Sequence, residues 1–265
     1  MRNSMSFDRD LLRNSDTGIV VDFTHADTAE SEDMGPSLAA MSALESGSTA
    51  NISEGRQVGH YWLRTPSKAP DVDTGQTIRD TIDRILNLKV DNCDTVLMLG
   101  VGGSALGPEL AIDALRTPEG RNFLLIDTVD PSGIKRVLED MNAERTIVLV
   151  ASKSGGTAET MQMLRIVEAA YAKTGVCFAD HAIAITSPGS SLEELAKGWL
   201  DTFPVWEWVG GRTSVTSAVG LIPMHLCGID IIAFLNGARD MDTWTRQPCP
   251  DNPAANLAAV WVDHP

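Results

Sequence analysis

Short apolar runs alternate with amphipathic stretches along most of this chain, and that alternation leaves few architectures open. The runs are Thr95–Leu99, Phe123–Ile126, Thr146–Val150, His181–Thr186 and Val205–Val209. Their length, and the β-branched residues in them, read as strands. Helices read at about 107–116, 131–141, 157–173, 191–199, 216–227 and 230–243. A strand with no polar face must be covered on both sides, as in parallel sheets joined by helical crossovers. The pattern predicts an open, doubly wound α/β fold, with a mainly parallel five-stranded sheet flanked by helices. In that architecture ligands gather at the carboxyl ends of the strands.

Upstream the pattern is weaker. Residues 1–17 are polar and read as frayed, and Ile19–Phe23 reads as a short strand. Gly35-Pro36 opens a helix, with Pro36 suited to its first turn, and Gly47 ends it. Residues 45–58 read as a polar loop, and Pro66–Asp73 as a connection. Gly59–Arg64 is aromatic enough to pack on the main body. Thr77 begins an amphipathic helix with Ile78, Ile82, Ile85 and Leu86 on one face. Downstream, Pro248, Pro250 and Pro253 mark a linker, and Ala254–Val262 reads as another helix before the chain stops at Pro265. The expected organisation is an N-terminal extension (1–76), an α/β domain (77–246), and a linker with the start of a truncated second part (247–265).

The formal net charge of −15 in 265 residues argues against nucleic acid and anionic membrane surfaces as partners. A small anion remains compatible, because local N–H dipoles and a few cations act at close range while salt screens the distant field. Cys93, Cys177, Cys227 and Cys249 form no metal-type or redox pair and read as buried free thiols in a reducing compartment. No signal peptide and no membrane span is legible, so the expected location is the cytoplasm.

Three turns carry the chemistry. The first follows Thr95–Leu99 and reads Gly100-Val101-Gly102-Gly103-Ser104-Ala105. It satisfies a loose dinucleotide fingerprint, with Asp127 at the next strand end able to hold a ribose hydroxyl. Ser104 adds a hydroxyl donor, which suits a phosphate as well. The second turn, Ser152-Lys153-Ser154-Gly155-Gly156-Thr157-Ala158-Glu159-Thr160, joins a strand to a helix. It combines hydroxyls, an ammonium and the positive end of a helix, all of which favour an oxyanion. Two such turns suit one small phosphorylated ligand better than a dinucleotide. The third turn, Gly210-Gly211-Arg212-Thr213-Ser214, adds a planar cation that either pairs with a nearby carboxylate or faces a ligand.

Together with Leu235-Asn236-Gly237-Ala238-Arg239-Asp240-Met241-Asp242, these turns carry a resemblance from about Gly59 to Pro265. The chain resembles the glucose-6-phosphate isomerase family of bacterial type, in its N-terminal portion. The resemblance implies a sugar-isomerase α/β domain, interconversion of glucose 6-phosphate and fructose 6-phosphate through a cis-enediolate, no metal or cofactor, and a homodimer. It implies that Ser104, Ser152, Ser154 and Thr157 hold the phosphate with Lys153 alongside, and that Gly103 and Ala105 line the sugar. Gly155, Gly156, Ala158, Thr160 and Gly211 complete the implied substrate contacts, and Arg212 would stabilise the enediolate. Gly156 stands where the family turn usually carries Thr. The family's base and ring-opening groups belong to motifs expected beyond this sequence.

Inside the chain, Glu159 reads as a carboxylate meeting the helix dipole, and Glu207 as paired or solvated. His225 reads as a satisfied core histidine, and no motif surrounds His60 or His264. The isolated chain is therefore expected to bind phosphosugar with little turnover. Two other readings stay open: a non-catalytic sugar-phosphate-binding regulatory domain, and a nicotinamide-dependent dehydrogenase.

Overall fold

The computed structural model describes residues 11–15, 17–23, 35–50, 52, 53, 55–248 and 251–263. A small antiparallel hairpin comes first, pairing β1 (Leu11–Arg13) with β2 (Val20–Asp22). The end of the stretch expected to fray is thus a strand. Helix α1 (Gly35–Glu45) follows, then α2 (Val72–Leu86). Helix α2 starts five positions before the expected Thr77, because Asp71 Oδ1 accepts the Thr74 amide at 2.7 Å and closes the first turn.

The main body alternates β3 (Thr95–Leu99), α3 (Leu106–Leu115), β4 (Asn122–Ile126), α4 (Pro131–Glu139), β5 (Thr146–Ala151), α5 (Ala158–Thr174), β6 (Ala182–Thr186), α6 (Ser191–Leu195) and β7 (Asp201–Pro204). Helices α7 (Ala218–Leu226), α8 (Ile231–Trp244) and α9 (Pro253–Asp263) follow. The five strands form one all-parallel sheet in the order β4-β3-β5-β6-β7. The order reverses at β3 and β5, so a crevice opens between their carboxyl ends.

Alternation along each strand sorts the core. Val96, Met98, Leu149 and Ile183 face Trp62, Ile78, Ile85, Ile112 and Leu221 on one side of the sheet. Leu97, Leu99, Val148 and Ala184 face Ile134, Met163, Val167 and Leu192 on the other. Helices thus cover both faces, as the uninterrupted apolar runs require.

Two boundaries differ from the sequence reading. The edge strand is Asp201–Pro204, not Val205–Val209. Pro204 is tolerated at the end of an edge strand, where a missing N–H breaks no ladder. The following residues turn back, with the Val209 amide bonded to the Trp206 carbonyl at 2.9 Å. Helix α6 also stops at Leu195, because the chain must fold back at Trp199 and Leu200 to enter β7.

Residues 59–64 dock as their aromatic content suggests: Trp62 and Leu63 are buried. A charged clasp fixes them to α8. Arg64 and Arg246 both donate to Asp242, at 2.8 and 3.1 Å, and their guanidinium groups lie 5.2 and 5.0 Å from the Tyr61 ring centre. Burial works to raise the Asp242 pKa, but hydrogen bonds and charge from the two arginines hold it below the ordinary carboxylate value. Burial and the neighbouring Arg64 lower the His60 pKa to about 4.

The thiols are not uniformly buried: Cys227 is buried, Cys93 half-buried and Cys177 exposed, while Cys249 lies outside the described residues. His264 and the last proline lie outside them too. Among the described residues no helix is long and apolar enough to cross a membrane.

Candidate functional site

Adjacent parallel strands deliver the first two turns to one edge of the sheet. Leu99 pairs with Val150, so the chain leaves β3 and β5 at the same level. The glycine turn then runs from Gly100 to Ala105, and the hydroxyl turn from Ser152 to Thr157, on either side of the crevice.

Direct contacts bind the third turn to the first, and the segment that leads into it, residues 206–209, to the second. Gly103 packs against the backbone of Gly211 so closely that a β-carbon on Gly103 would overlap the Gly211 carbonyl. Only glycine allows that approach. Ser214 Oγ locks the junction, lying 3.1 Å from the Gly103 carbonyl oxygen and 2.8 Å from that of Gly211. On the other side, Lys153 Nζ donates to the carbonyls of Glu207 and Val209 at 2.8 and 3.0 Å. Its ammonium also pairs with the Glu207 carboxylate at 3.5 Å. The structure therefore brings together the three turns that the sequence singled out.

The hydroxyl turn has internal order. Ser152 Oγ and Thr157 Oγ1 are 2.9 Å apart, and Ser154 Oγ lies 3.4 Å from Thr157 Oγ1. Gly155 adopts φ +70°, and a β-carbon there would meet Leu192 N at 2.7 Å. Supporting groups arrive from the β6 end: Thr186 Oγ1 donates to Ser152 O at 2.7 Å, and Ser191 Oγ to Gly155 O at 2.8 Å. These supports were not singled out from the sequence, although the hydroxyl-rich run Ser187-Pro188-Gly189-Ser190-Ser191 carries the signal. Arg56 was also missed; it donates to the Glu207 carbonyl at 2.8 Å from the N-terminal extension.

The starts of α3 and α5 differ from those of five other helices. Asp71, Asp130, Ser190, Ser217 and Asp230 each accept a first-turn amide of α2, α4, α6, α7 and α8. Helices α3 and α5 have no side-chain cap, although Thr157 sits at the cap position of α5. Its hydroxyl turns to the serines instead. Two helix ends with uncapped amides thus flank the crevice, where their dipoles favour an anion.

Ser104 is half-buried, and its hydroxyl has no hydrogen-bond partner among the described residues. Arg212 is exposed and makes no ion pair or hydrogen bond there, so no carboxylate claims it. Gly156, Ala158 and Gly211 are exposed on the turns, and Ala105 is buried beneath the first. Thr160 is fully buried in the first turn of α5, and its hydroxyl lacks a partner among the described residues.

The remaining carboxylates and imidazoles are placed as follows. Glu159 is exposed at the start of α5, Glu207 is held by Lys153, and His225 Nε2 lies 3.3 Å from Leu88 O. Asp127 directly follows β4 and lines a cavity of about 400 Å³ with Thr128, Gly133, Arg136 and Asp140. Among the described residues no three His, Cys, Asp or Glu side chains group as a metal site would require.

Comparison with known proteins converges on one family. The family model described as phosphoglucose isomerase matches residues 26–263. A glucose-6-phosphate isomerase from Geobacter sulfurreducens is 45% identical over 95% of this chain and 52% of its own length. One from Synechococcus sp. is 48% identical over 84% of this chain and 46% of its own. The crystal structure of a glucose-6-phosphate isomerase from Chlamydia trachomatis superposes with a TM-score of 0.78 at 27% identity, covering 85% of this chain and 47% of that one. The chain thus spans about half the length of the curated relatives it matches.

Proposed function

This chain belongs to the phosphoglucose isomerase family, and from that premise we propose that its three-turn edge holds the phosphate and sugar of glucose 6-phosphate during isomerisation to fructose 6-phosphate. The observation that supports this reading is that the glycine turn, the hydroxyl turn and the turn carrying Arg212 are held at one sheet edge, with Ser104 and Arg212 side chains that have no partner among the described residues and two helix starts without a side-chain cap. Each group donates hydrogen bonds or positive charge, and the set suits a phosphate dianion with a second negative charge beside it.

The reaction opens the sugar ring and moves a proton between C2 and C1 through a cis-enediolate. Hydroxyls of Ser104, Ser152, Ser154 and Thr157 hold the phosphate, with amides of the Gly155–Ala158 backbone and the α5 dipole behind them. Gly103, Ala105 and Gly211 shape the wall beside the sugar. Arg212 meets the oxygen charge that develops on the enediolate, where a preorganised cation lowers the barrier. Proton transfer needs a positioned general base, worth about 10² to 10⁴ in rate. Neither Glu159 nor Glu207 is assigned that role, so this chain alone binds phosphosugar and turns it over slowly at best. The enzyme reading also takes residues 77–246 as the phosphosugar-binding unit of a cytoplasmic homodimer; light scattering of the intact enzyme tests the assembly.

Thermal shift with glucose 6-phosphate against NAD, together with a coupled assay for fructose 6-phosphate, tests the function. Stabilisation by the hexose phosphate alone, with turnover far below that of an intact family enzyme, is the expected result. Stabilisation by NAD alone would contradict it. Turnover at the intact enzyme's rate would mean that the chain holds its own base.

A further inference from the structure

Lys153 stands in the middle of the hydroxyl turn, and its charge makes it the obvious partner for a phosphate. The geometry points elsewhere. Its ammonium donates to the Glu207 carbonyl at 2.8 Å and the Val209 carbonyl at 3.0 Å, and it pairs with the Glu207 carboxylate at 3.5 Å. An ammonium has three donors and no acceptor, so this set engages the group fully. The partners are fixed in turn. The Glu207 carbonyl also receives Arg56 at 2.8 Å, and the Glu207 carboxylate lies 3.4 Å from Ser187 Oγ. The indole rings of Trp206 and Trp208 stack at 5.0 Å, and the Trp208 carbonyl accepts the Gly59 amide at 2.9 Å. The segment from Trp206 to Val209 is therefore a buttressed turn, and it leads within three residues to Arg212.

We propose that Lys153 is a positioning residue rather than a phosphate ligand: it fastens the hydroxyl turn to the turn that carries Arg212, so that closing one on an anion sets the other. The proposal rests on the phosphosugar reading for the identity of the anion, but the fastening itself does not. Phosphate bound by the serines and amides draws on the backbone that carries Lys153, and Lys153 passes that order to residues 205–212 through two carbonyls. Charge-assisted hydrogen bonds are the strong ones, which makes this link firmer than an exposed ion pair would be. An isomerase that orders the turn of its enediolate-stabilising cation further when phosphate binds would favour phosphorylated sugars.

The test uses the full chain, inorganic phosphate as the probe, and three proteins: wild type, Lys153→Met and Lys153→Arg. Phosphate affinity is read by calorimetry, and local order by hydrogen exchange of the peptide covering residues 205–212. In Lys153→Met the phosphate Kd stays within about threefold of wild type, because only a screened charge is lost. Exchange in 205–212 becomes about tenfold faster, the scale of losing one charge-assisted hydrogen bond. Phosphate slows exchange of that peptide in wild type and in Lys153→Arg, but not in Lys153→Met; a residue that merely stabilised the fold would not uncouple the two turns.

A Kd weakened tenfold or more with exchange in 205–212 unchanged would overturn the proposal and leave the phosphate site standing. If wild type shows no saturable phosphate response, the phosphosugar reading fails. The exchange comparison still decides the fastener then: faster exchange in Lys153→Met supports it, and unchanged exchange overturns it.

Discussion

Helices α3 and α4 share the same sheet and similar lengths, yet they begin in opposite ways. Asp130 closes α4 by accepting the Gly133 amide at 2.7 Å, with Pro131 in the first turn. Helix α3 opens from the glycine turn with no side-chain cap, and α5 opens from the hydroxyl turn in the same state. The two starts without a side-chain cap flank the crevice where the strand order reverses, while the capped start of α6 holds the hydroxyl turn from behind through Ser191. Capping satisfies amides inside the protein, and leaving them uncapped keeps them for something else. The difference is what the proposed phosphate site draws on, and it can be seen without reference to any relative.

Substitutions can break that contrast. The largest effect is expected from Gly103→Ala, whose new methyl overlaps the Gly211 carbonyl, backbone against backbone. Overpacking of that kind costs about 3 kcal/mol, read by urea denaturation, and the phosphate response should vanish with it. Ser104→Ala should do the reverse. Its hydroxyl has no partner within the described residues, so stability should stay within about 0.5 kcal/mol of wild type. Phosphate affinity should fall about tenfold by calorimetry, as expected for a lost hydrogen bond to a charged group. Asp130→Ala sharpens the other side: it should cost about 1 kcal/mol of stability as a lost cap and leave phosphate affinity unaltered.

The smallest effect lies at the Arg64–Asp242–Arg246 clasp beside His60. His60 is held neutral, with its pKa lowered to about 4, while an unfolded chain would take up the proton near 6.5. The unfolded state therefore binds more protons between those values, and the contribution of His60, full above the higher value, is lost as pH falls toward the lower. The depressed Asp242 pKa acts in the same direction at more acid pH. The Tm should drop on going from pH 7 to pH 5, and His60→Gln should flatten that slope without moving phosphate affinity at pH 7.

The central strands were legible because they are buried on both faces, which calls for near-continuous apolar runs with threonine at their ends. Thr95–Leu99 matches β3, and the Thr146–Val150 reading falls one residue short of β5. The edge was not legible in the same way. Val205-Trp206-Glu207-Trp208-Val209 alternates like a strand, but its alternation serves a stacked, buttressed turn. Asp201–Pro204 looks polar because an edge strand has little to bury beyond Phe203. At the candidate site, the hydroxyls and Arg212 could be read because phosphate chemistry needs those residue types. The supports from Arg56 and Thr186, and the engagement of Lys153 with two backbone carbonyls, depend on which chain segments meet. No local pattern encodes that.

One phosphate held jointly by the two helix starts and the hydroxyl turn is the arrangement everything else follows from. Backbone amide shifts measured during a titration with inorganic phosphate test this most directly. Saturable shifts at residues 104–107 and 152–160, with one shared Kd and none at the capped starts of α2 and α4, are the predicted result. Shifts centred on those capped starts, or two unrelated Kd values for the two turns, would contradict it.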